Sequence, residues 1–149
     1  MTDDPVPVGS PTITELVAAL YPALAAGDRA ELNRLVAPDF VGTLTESLPF
    51  GIGGTHHGRS AMIKDGWWAV GRAFSIRIEA SEWIECADGR LLVLGRYTGR
   101  ARSSGAPLDA AFVHLWTARD GRLCAVWHLT DSARWFDALS GSPGGTSGA

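Results

Sequence analysis

Three turn signals divide Phe74–Thr130 into four strand-length segments, and this run constrains the fold more than any other feature of the chain. The first segment, FSIRIEASEWIEC, opens with an alternation that puts Phe74, Ile76 and Ile78 on one face, the period-2 pattern of a half-buried strand. ADGR at 87–90 leads into LLVLGRYTGRAR, SSGAP at 103–107 leads into LDAAFVHLWTA, and a second DGR leads into LCAVWHLT. Asp-Gly supplies the positive φ that tight turns need, and Pro pre-sets a turn backbone. Connections this short join antiparallel neighbours, so the C-terminal half reads as a meander.

Helical spacing dominates the N-terminal half. Thr12 and Glu15 have capping-box spacing, and Ile13, Leu16, Leu20 and Leu24 follow at helical intervals up to Gly27, with Pro22 as a kink. Asp28 and Glu31 open a second helix carrying Leu32, Leu35 and Val36, which Pro38 ends. DFVGTLTES reads as a strand and LPFGIGGTHHG as a glycine-rich loop. Ser60 is placed to cap a third helix through about Val70, and Asp131 or Thr130 to cap a last helix over SARWFDAL. Helices first and a meander after them predict an α+β fold, with the helices on one face of a curved sheet.

The 149 residues suffice for one domain, expected over 12–140, with tails at 1–11 and 141–149. With 46% apolar and 19% charged residues the composition is that of a globular chain. A net charge of −3 and 13 scattered basic residues give no footprint for nucleic acid. No apolar run approaches the roughly 20 residues a membrane span needs, and the acidic, Pro-rich start lacks the features of a signal peptide. Cys86 and Cys124 are too few for a disulfide scaffold and fit a reduced chain, so a cytoplasmic protein is expected. GIGG lacks the lysine and the strand–loop–helix context of a phosphate cradle, and no cofactor is expected.

His114 and His128 lie seven residues on either side of Gly121, and turn chemistry decides whether they share a face. A two-residue type I′ loop at Asp120–Gly121 pairs Arg119 with Arg122 and His114 with Trp127, which turns His128 to the opposite face. A three-residue loop with Gly121 as a left-handed bulge pairs Ala118 with Arg122 instead. It puts Phe112, His114, Trp116, Cys124, Val126 and His128 on one face. One residue of slip reverses the answer, and the residues themselves leave both registers open. In the second register Val113, Leu115, Leu123, Trp127 and Leu129 form a convex apolar face, through which a homodimer is expected.

The stretches AGDRAELNRLVAPDF, LPFGIGGTHHGRSAM and HLWTARDGRLCAVWH resemble the SnoaL-like proteins. These belong to the nuclear transport factor 2-like superfamily, which also holds ketosteroid isomerase and limonene epoxide hydrolase. The resemblance covers about residues 12–140. It implies a cone-shaped, curved, mostly antiparallel sheet wrapped by three N-terminal helices, with a short C-terminal helix, around a deep apolar pocket; dimers are common. In SnoaL-like polyketide cyclases a histidine before the last hairpin turn and an aspartate beyond it face the pocket, and the aspartate is the acid/base. His114 falls on that histidine and His128 on that aspartate, so the resemblance favours the bulged register, with an imidazole where the family has a carboxylate. Limonene epoxide hydrolase uses an Asp–Arg–Asp set, of which GRYTG offers only Arg96, beside Tyr97. Glu46 lies near the place of the isomerase's base, and that enzyme's first-helix tyrosine is matched only by Tyr21, one residue out of step.

These readings name His128 as acid/base and His114 as its partner, with Tyr97 and Glu46 polarising the substrate. Asp131 is weighed between catalysis and a helix cap, and the histidines between catalysis and satisfied interior packing. Trp116, Trp68, Phe112, Phe50 and Val126 are the candidate substrate-binding residues, since aromatic walls with few polar groups suit a flat hydrophobic ligand. Cys124 and His128 sit four strand residues apart, about 13 Å at roughly 3.3 Å each, too far to share a zinc ion; no metal is expected. The first functional reading is cofactor-independent acid/base cyclisation or isomerisation of a small polycyclic or polyketide-like carbonyl compound. The alternatives are a non-catalytic module binding a hydrophobic ligand, and an epoxide-opening hydrolase or cyclase.

Overall fold

The predicted capping box forms in full. In the computed structural model, which describes residues 10–141, Thr12 Oγ1 accepts from the Glu15 N–H and Glu15 Oε1 accepts from the Thr12 N–H. They open helix α1 (Ile13–Ala26), which ends at Gly27 with φ 65°, a left-handed cap that favours glycine. Helix α2 (Arg29–Leu35) follows, capped by the Asp28 carboxylate on the Glu31 N–H. Strand β1 (Val36–Leu44) starts earlier than expected and contains Pro38, which has no N–H for a ladder; the pairing of β1 is accordingly interrupted between Val36 and Val41. The glycine-rich loop supplies a short strand, β2 (Gly54–His57), on the outer edge of β1.

The third helical run departs from expectation at both ends. Ser60 does not cap it: the N-cap is Gly58, whose N–H bonds Phe40 O, and Ser60 lies inside α3 (Arg59–Ala61). Met62–Trp67 is wound as a π-helix and runs into α4 (Trp68–Ala73). The meander then appears as expected, as β3 (Phe74–Glu85), β4 (Leu91–Ala101), β5 (Pro107–Arg119) and β6 (Arg122–Thr130), before helix α5 (Ser132–Ser140). Asp131 precedes α5 but its carboxylate makes no cap bond; it lies 3.6 Å from Arg134 instead.

The strands form one curved sheet in the order β2-β1-β6-β5-β4-β3, antiparallel throughout except where β1 runs parallel to β6. Leu16, Val17 and Leu20 of α1 and Leu32 and Leu35 of α2 pack on its concave face with Phe40, Val93, Trp116 and Leu123. Each such side chain removed from water contributes about 1.5–3 kcal/mol before chain entropy opposes it.

The last hairpin answers the register question by a route neither turn alone predicts. Asp120 and Gly121 both have positive φ, 54° and 77°, and Arg119 pairs with Arg122. The loop is therefore the two-residue type I′ turn, and the expected Gly121 bulge is absent. That turn by itself would separate the histidines. Ala118, however, pairs with Leu123 while Thr117 pairs with Ala125, so Cys124 is an extra, bulged residue that restores the shared face. His114 then stands directly opposite His128. The two-residue turn sets Leu123 opposite Ala118 and so inward, where it is fully buried, and it leaves the expected convex set. Trp127 and Leu129 do face outward, 47% and 46% exposed.

Gly95 in β4 makes room for the concave face. A Cβ there would lie 2.3 Å from Glu79 O and 2.8 Å from Phe112 Cζ, where Phe112 is its cross-strand partner. Gly95→Ala is expected to destabilise the fold by about 1–3 kcal/mol, read by urea unfolding. A neutral change would mean that the β3 backbone at Glu79–Ala80 and the Phe112 ring both give way freely.

Candidate active site

The helices and the concave face enclose a cavity of ≈ 570 Å³. Its walls are mainly apolar, with Leu44, Leu48 and Phe74 beside the tryptophans Trp67, Trp68, Trp116 and Trp135. Trp67 and Trp68 both line it, although neighbours on an ordinary helix diverge by 100°. The π-helical winding, with more residues per turn, brings them closer to one face. No carboxylate lines the cavity.

Its buried polar groups come from four elements and form one chain, while the half-buried Ser75 and the exposed Arg77 and Arg102 line the cavity elsewhere. Tyr97 (β4), His114 (β5) and His128 (β6) lie on adjacent strands, and Tyr21 descends from α1. Tyr97 Oη is 2.6 Å from His114 Nε2 and 2.9 Å from His128 Nε2. Tyr21 Oη is 2.8 Å from His114 Nδ1 and accepts from Trp116 Nε1 at 3.3 Å. His128 Nδ1 accepts from the Thr45 backbone N–H at 3.4 Å, and Thr45 Oγ1 ties β1 to β6 by donating to His128 O and accepting from the Thr130 N–H. Phe112 stacks on His114, ring centres 4.1 Å apart and 19° from parallel.

Burial keeps the whole chain neutral. It pulls the His114 imidazole well below its usual value, with further lowering from the charge His128 would carry, and pulls His128 down to about 4. It also pushes the Tyr97 and Tyr21 phenols up. Removing water penalises whichever form is charged, so at neutral pH the site holds two imidazoles and two phenols. Among the described residues no cluster of three or more His, Cys, Asp or Glu is placed to hold a metal ion.

The expected site residues divide as follows. His128, His114, Tyr97, Trp116, Trp68 and Val126 all line the cavity. Phe112 is buried behind His114 and supports it rather than touching the cavity. Glu46 and Asp131 are exposed and line no part of it: Glu46 lies in the turn beyond β1, and Asp131 belongs to the start of α5. Phe50 is 69% exposed with φ 62°, a loop-tip residue pointing to solvent. Arg96 pairs with Asp109 on the exposed face, Nε to Oδ1 2.5 Å, so no Asp–Arg–Asp set enters the cavity. The sequence does not single out Thr45 or Trp135, and it offers Tyr21 only as the out-of-step match to the isomerase's first-helix tyrosine. Tyr21 had a signal, since it follows Val17 by four residues on the buried face of α1; Thr45, just beyond a strand end, had none.

A curved sheet closed by helices over an apolar cavity, with a histidine–tyrosine cluster at its base, defines a cone-shaped α+β fold of the nuclear transport factor 2-like class. The SnoaL-like domain family matches residues 17–126, and the chain belongs to that family. Among curated proteins no sequence matches it. Among solved structures it is similar to an NTF2-like protein of unknown function from Burkholderia pseudomallei, with 27% identity, a TM-score of 0.76, and 85% of this chain and 96% of that one covered. It is similar to TerC, crystallised with polyporic acid, with 26% identity, a TM-score of 0.75, and coverage of 85% and 97%. The fold is also that of IdmH from Streptomyces antibioticus, a proposed polyketide cyclase, with 21% identity, a TM-score of 0.71, and coverage of 85% and 97%. No helix among the described residues is long and apolar enough to cross a membrane.

Proposed function

We propose that this cavity takes a small, flat, hydrophobic carbonyl compound of polyketide-like character and promotes its cyclisation or isomerisation by acid/base chemistry without a cofactor. The observation that carries this reading is the neutral chain of two imidazoles and two phenols buried in a mainly apolar cavity. Enolisation needs a group to take a hydrogen and a donor to hold the developing oxyanion, and such a chain offers both. TerC, co-crystallised with polyporic acid, supports a small organic ligand. The test is turnover of enolisable polycyclic ketones against the uncatalysed rate, with ligand binding followed in parallel by quenching of the cavity tryptophans.

A second reading, a binding module without turnover, is favoured by one observation. Both nitrogens of each imidazole are already hydrogen-bonded within the chain, which leaves neither lone pair directly open to a ligand. Tight binding with no rate above background across the ketone series decides for this reading.

The protein is further proposed to work as a homodimer through the convex face around Trp127 and Leu129. Light scattering should then give twice the 15.8 kDa chain mass, and Trp127→Glu should give the monomer. A wild-type monomer at micromolar concentration removes the proposal.

A further inference from the structure

Hydrogen counting along the polar chain, taken together with its bond lengths, directs each of its bonds. At one end the Thr45 backbone N–H points at His128 Nδ1, and at the other Trp116 Nε1–H points at the Tyr21 oxygen. Both groups can only donate. Between them stand His128, Tyr97, His114 and Tyr21, each carrying one exchangeable hydrogen when neutral and joined by three bonds. Four hydrogens serve three bonds, so one is left over.

Its position follows from the ends and the distances. Thr45 Oγ1 also lies 3.4 Å from His128 Nδ1 but donates to His128 O, and the fixed Thr45 backbone N–H aimed at Nδ1 makes that nitrogen the acceptor; neutral His128 then carries its hydrogen on Nε2 and donates it to Tyr97 over 2.9 Å, an ordinary N–H···O length. The 2.6 Å contact between Tyr97 and His114 Nε2 has the shorter length of an O–H donor. Tyr97 therefore donates to Nε2, and His114 carries its own hydrogen on Nδ1. The Tyr21 oxygen then accepts from both His114 and Trp116, which leaves the Tyr21 hydroxyl hydrogen uncommitted. Tyr21 lines the cavity.

We propose that Tyr21 is the catalytic hydrogen donor of this cavity, and that Tyr21, His114 and Tyr97 form a neutral relay that gives a hydrogen to the substrate at one end and takes one at the other. This rests on the catalytic reading above. In the forward step the Tyr21 hydrogen passes to a carbonyl oxygen of the substrate, and the His114 Nδ1 hydrogen passes to the Tyr21 oxygen. The Tyr97 hydrogen passes to His114 Nε2, and a C–H hydrogen of the substrate passes to the Tyr97 oxygen. The C–H electron pair becomes the new C=C bond, and the C=O π pair becomes a lone pair bonding the added hydrogen. The substrate is now its enol, and no group is charged. Return of the Tyr97 hydrogen to a different carbon, with the enol hydrogen going back to Tyr21, reverses each transfer and restores the resting chain. His128 and Thr45 are positioning residues: they hold Tyr97 and set the polarity. The substrate class is an enolisable ketone whose oxygen and labile C–H both lie within reach of the two phenols.

Burial supports a neutral path, since it disfavours both imidazolium and phenolate here. The resting assignment is tested without any substrate by long-range ¹H–¹⁵N correlation on protein labelled at histidine, at pH 7. The expected result is His114 protonated on Nδ1 and His128 on Nε2. Wild-type His114 found as Nε2–H or as imidazolium overturns the proposal. The catalytic arm uses 2-tetralone in D₂O, reading deuterium uptake next to the carbonyl. Tyr21→Phe should lose about 10²–10³-fold of the wild-type acceleration. Loss of less than threefold in that variant sinks the relay alone, whereas no wild-type acceleration sinks the catalytic reading beneath it and leaves the tautomer result standing.

Discussion

His114→Gln is expected to lower turnover of an enolisable substrate by about 10²–10⁴-fold, the usual contribution of a positioned acid/base group, and to cost more than His128→Gln. The sequence alone suggests the opposite order, because His128 falls on the family's acid/base position. The geometry reverses it: His114 bonds a phenol through each ring nitrogen, while His128 bonds one phenol and a fixed backbone N–H. Only the former can pass a hydrogen from one phenol to the other. Glutamine matches the polarity and approximate volume of histidine but has no pair of equivalent tautomers. The check is kcat for both variants, with near-ultraviolet circular dichroism to show that the aromatic packing survives. A larger loss in His128→Gln returns the acid/base role to that residue.

The second large effect is on stability in mild acid. Both imidazoles are held below their ordinary value, His128 at about 4, whereas the unfolded chain protonates histidine near 6.5. Between those values the unfolded state binds more protons than the folded state, so stability falls as pH falls. The loss begins below about pH 6.5 and for His128 is complete near pH 4, where it amounts to about 3 kcal/mol at 1.36 kcal/mol per pH unit. His114 adds to it in the same direction. Against a total of roughly 5–15 kcal/mol, this predicts a marked fall in the urea midpoint from pH 7 to pH 5. His128→Gln should show a shallower slope. Equal midpoints at the two pH values would mean that the imidazoles reach solvent and titrate freely.

Local chemistry made the elements legible. The capping box at Thr12, the glycine stop at Gly27 and the Asp-Gly turns each act within a few residues, and each is where it was expected. The family resemblance, carried by motifs spread along the chain, supplied the cone and its cavity. What the sequence did not disclose depends on contacts between distant segments. Thr45 reaches His128 across 83 positions and Tyr21 reaches His114 across 93, and no periodicity records such meetings. Glu46 and Asp131 have the right chemistry but lie outside the cavity. The π-helical stretch escaped because its residues read equally well as an ordinary helix.

The bulge at Cys124 acts on the hairpin ladder as a frameshift acts on a message. On the tip side, Arg119–Arg122 and Ala118–Leu123 are read in one frame; on the cavity side, Trp116–Val126 and His114–His128 are read in the other. Alternation counted outward from the turn therefore assigns every residue from Ala125 onward to the wrong face, although each half is regular by itself. The same arithmetic says where the chain could lose a residue. Deleting Cys124 leaves Leu123 opposite Ala118 and the following alanine opposite Thr117 in one continuous frame, with the two histidines still facing each other. A relative one residue shorter at this point would thus keep the same pair on the same face, while a residue-by-residue alignment without a gap would set its histidine against Trp127 and miss the correspondence.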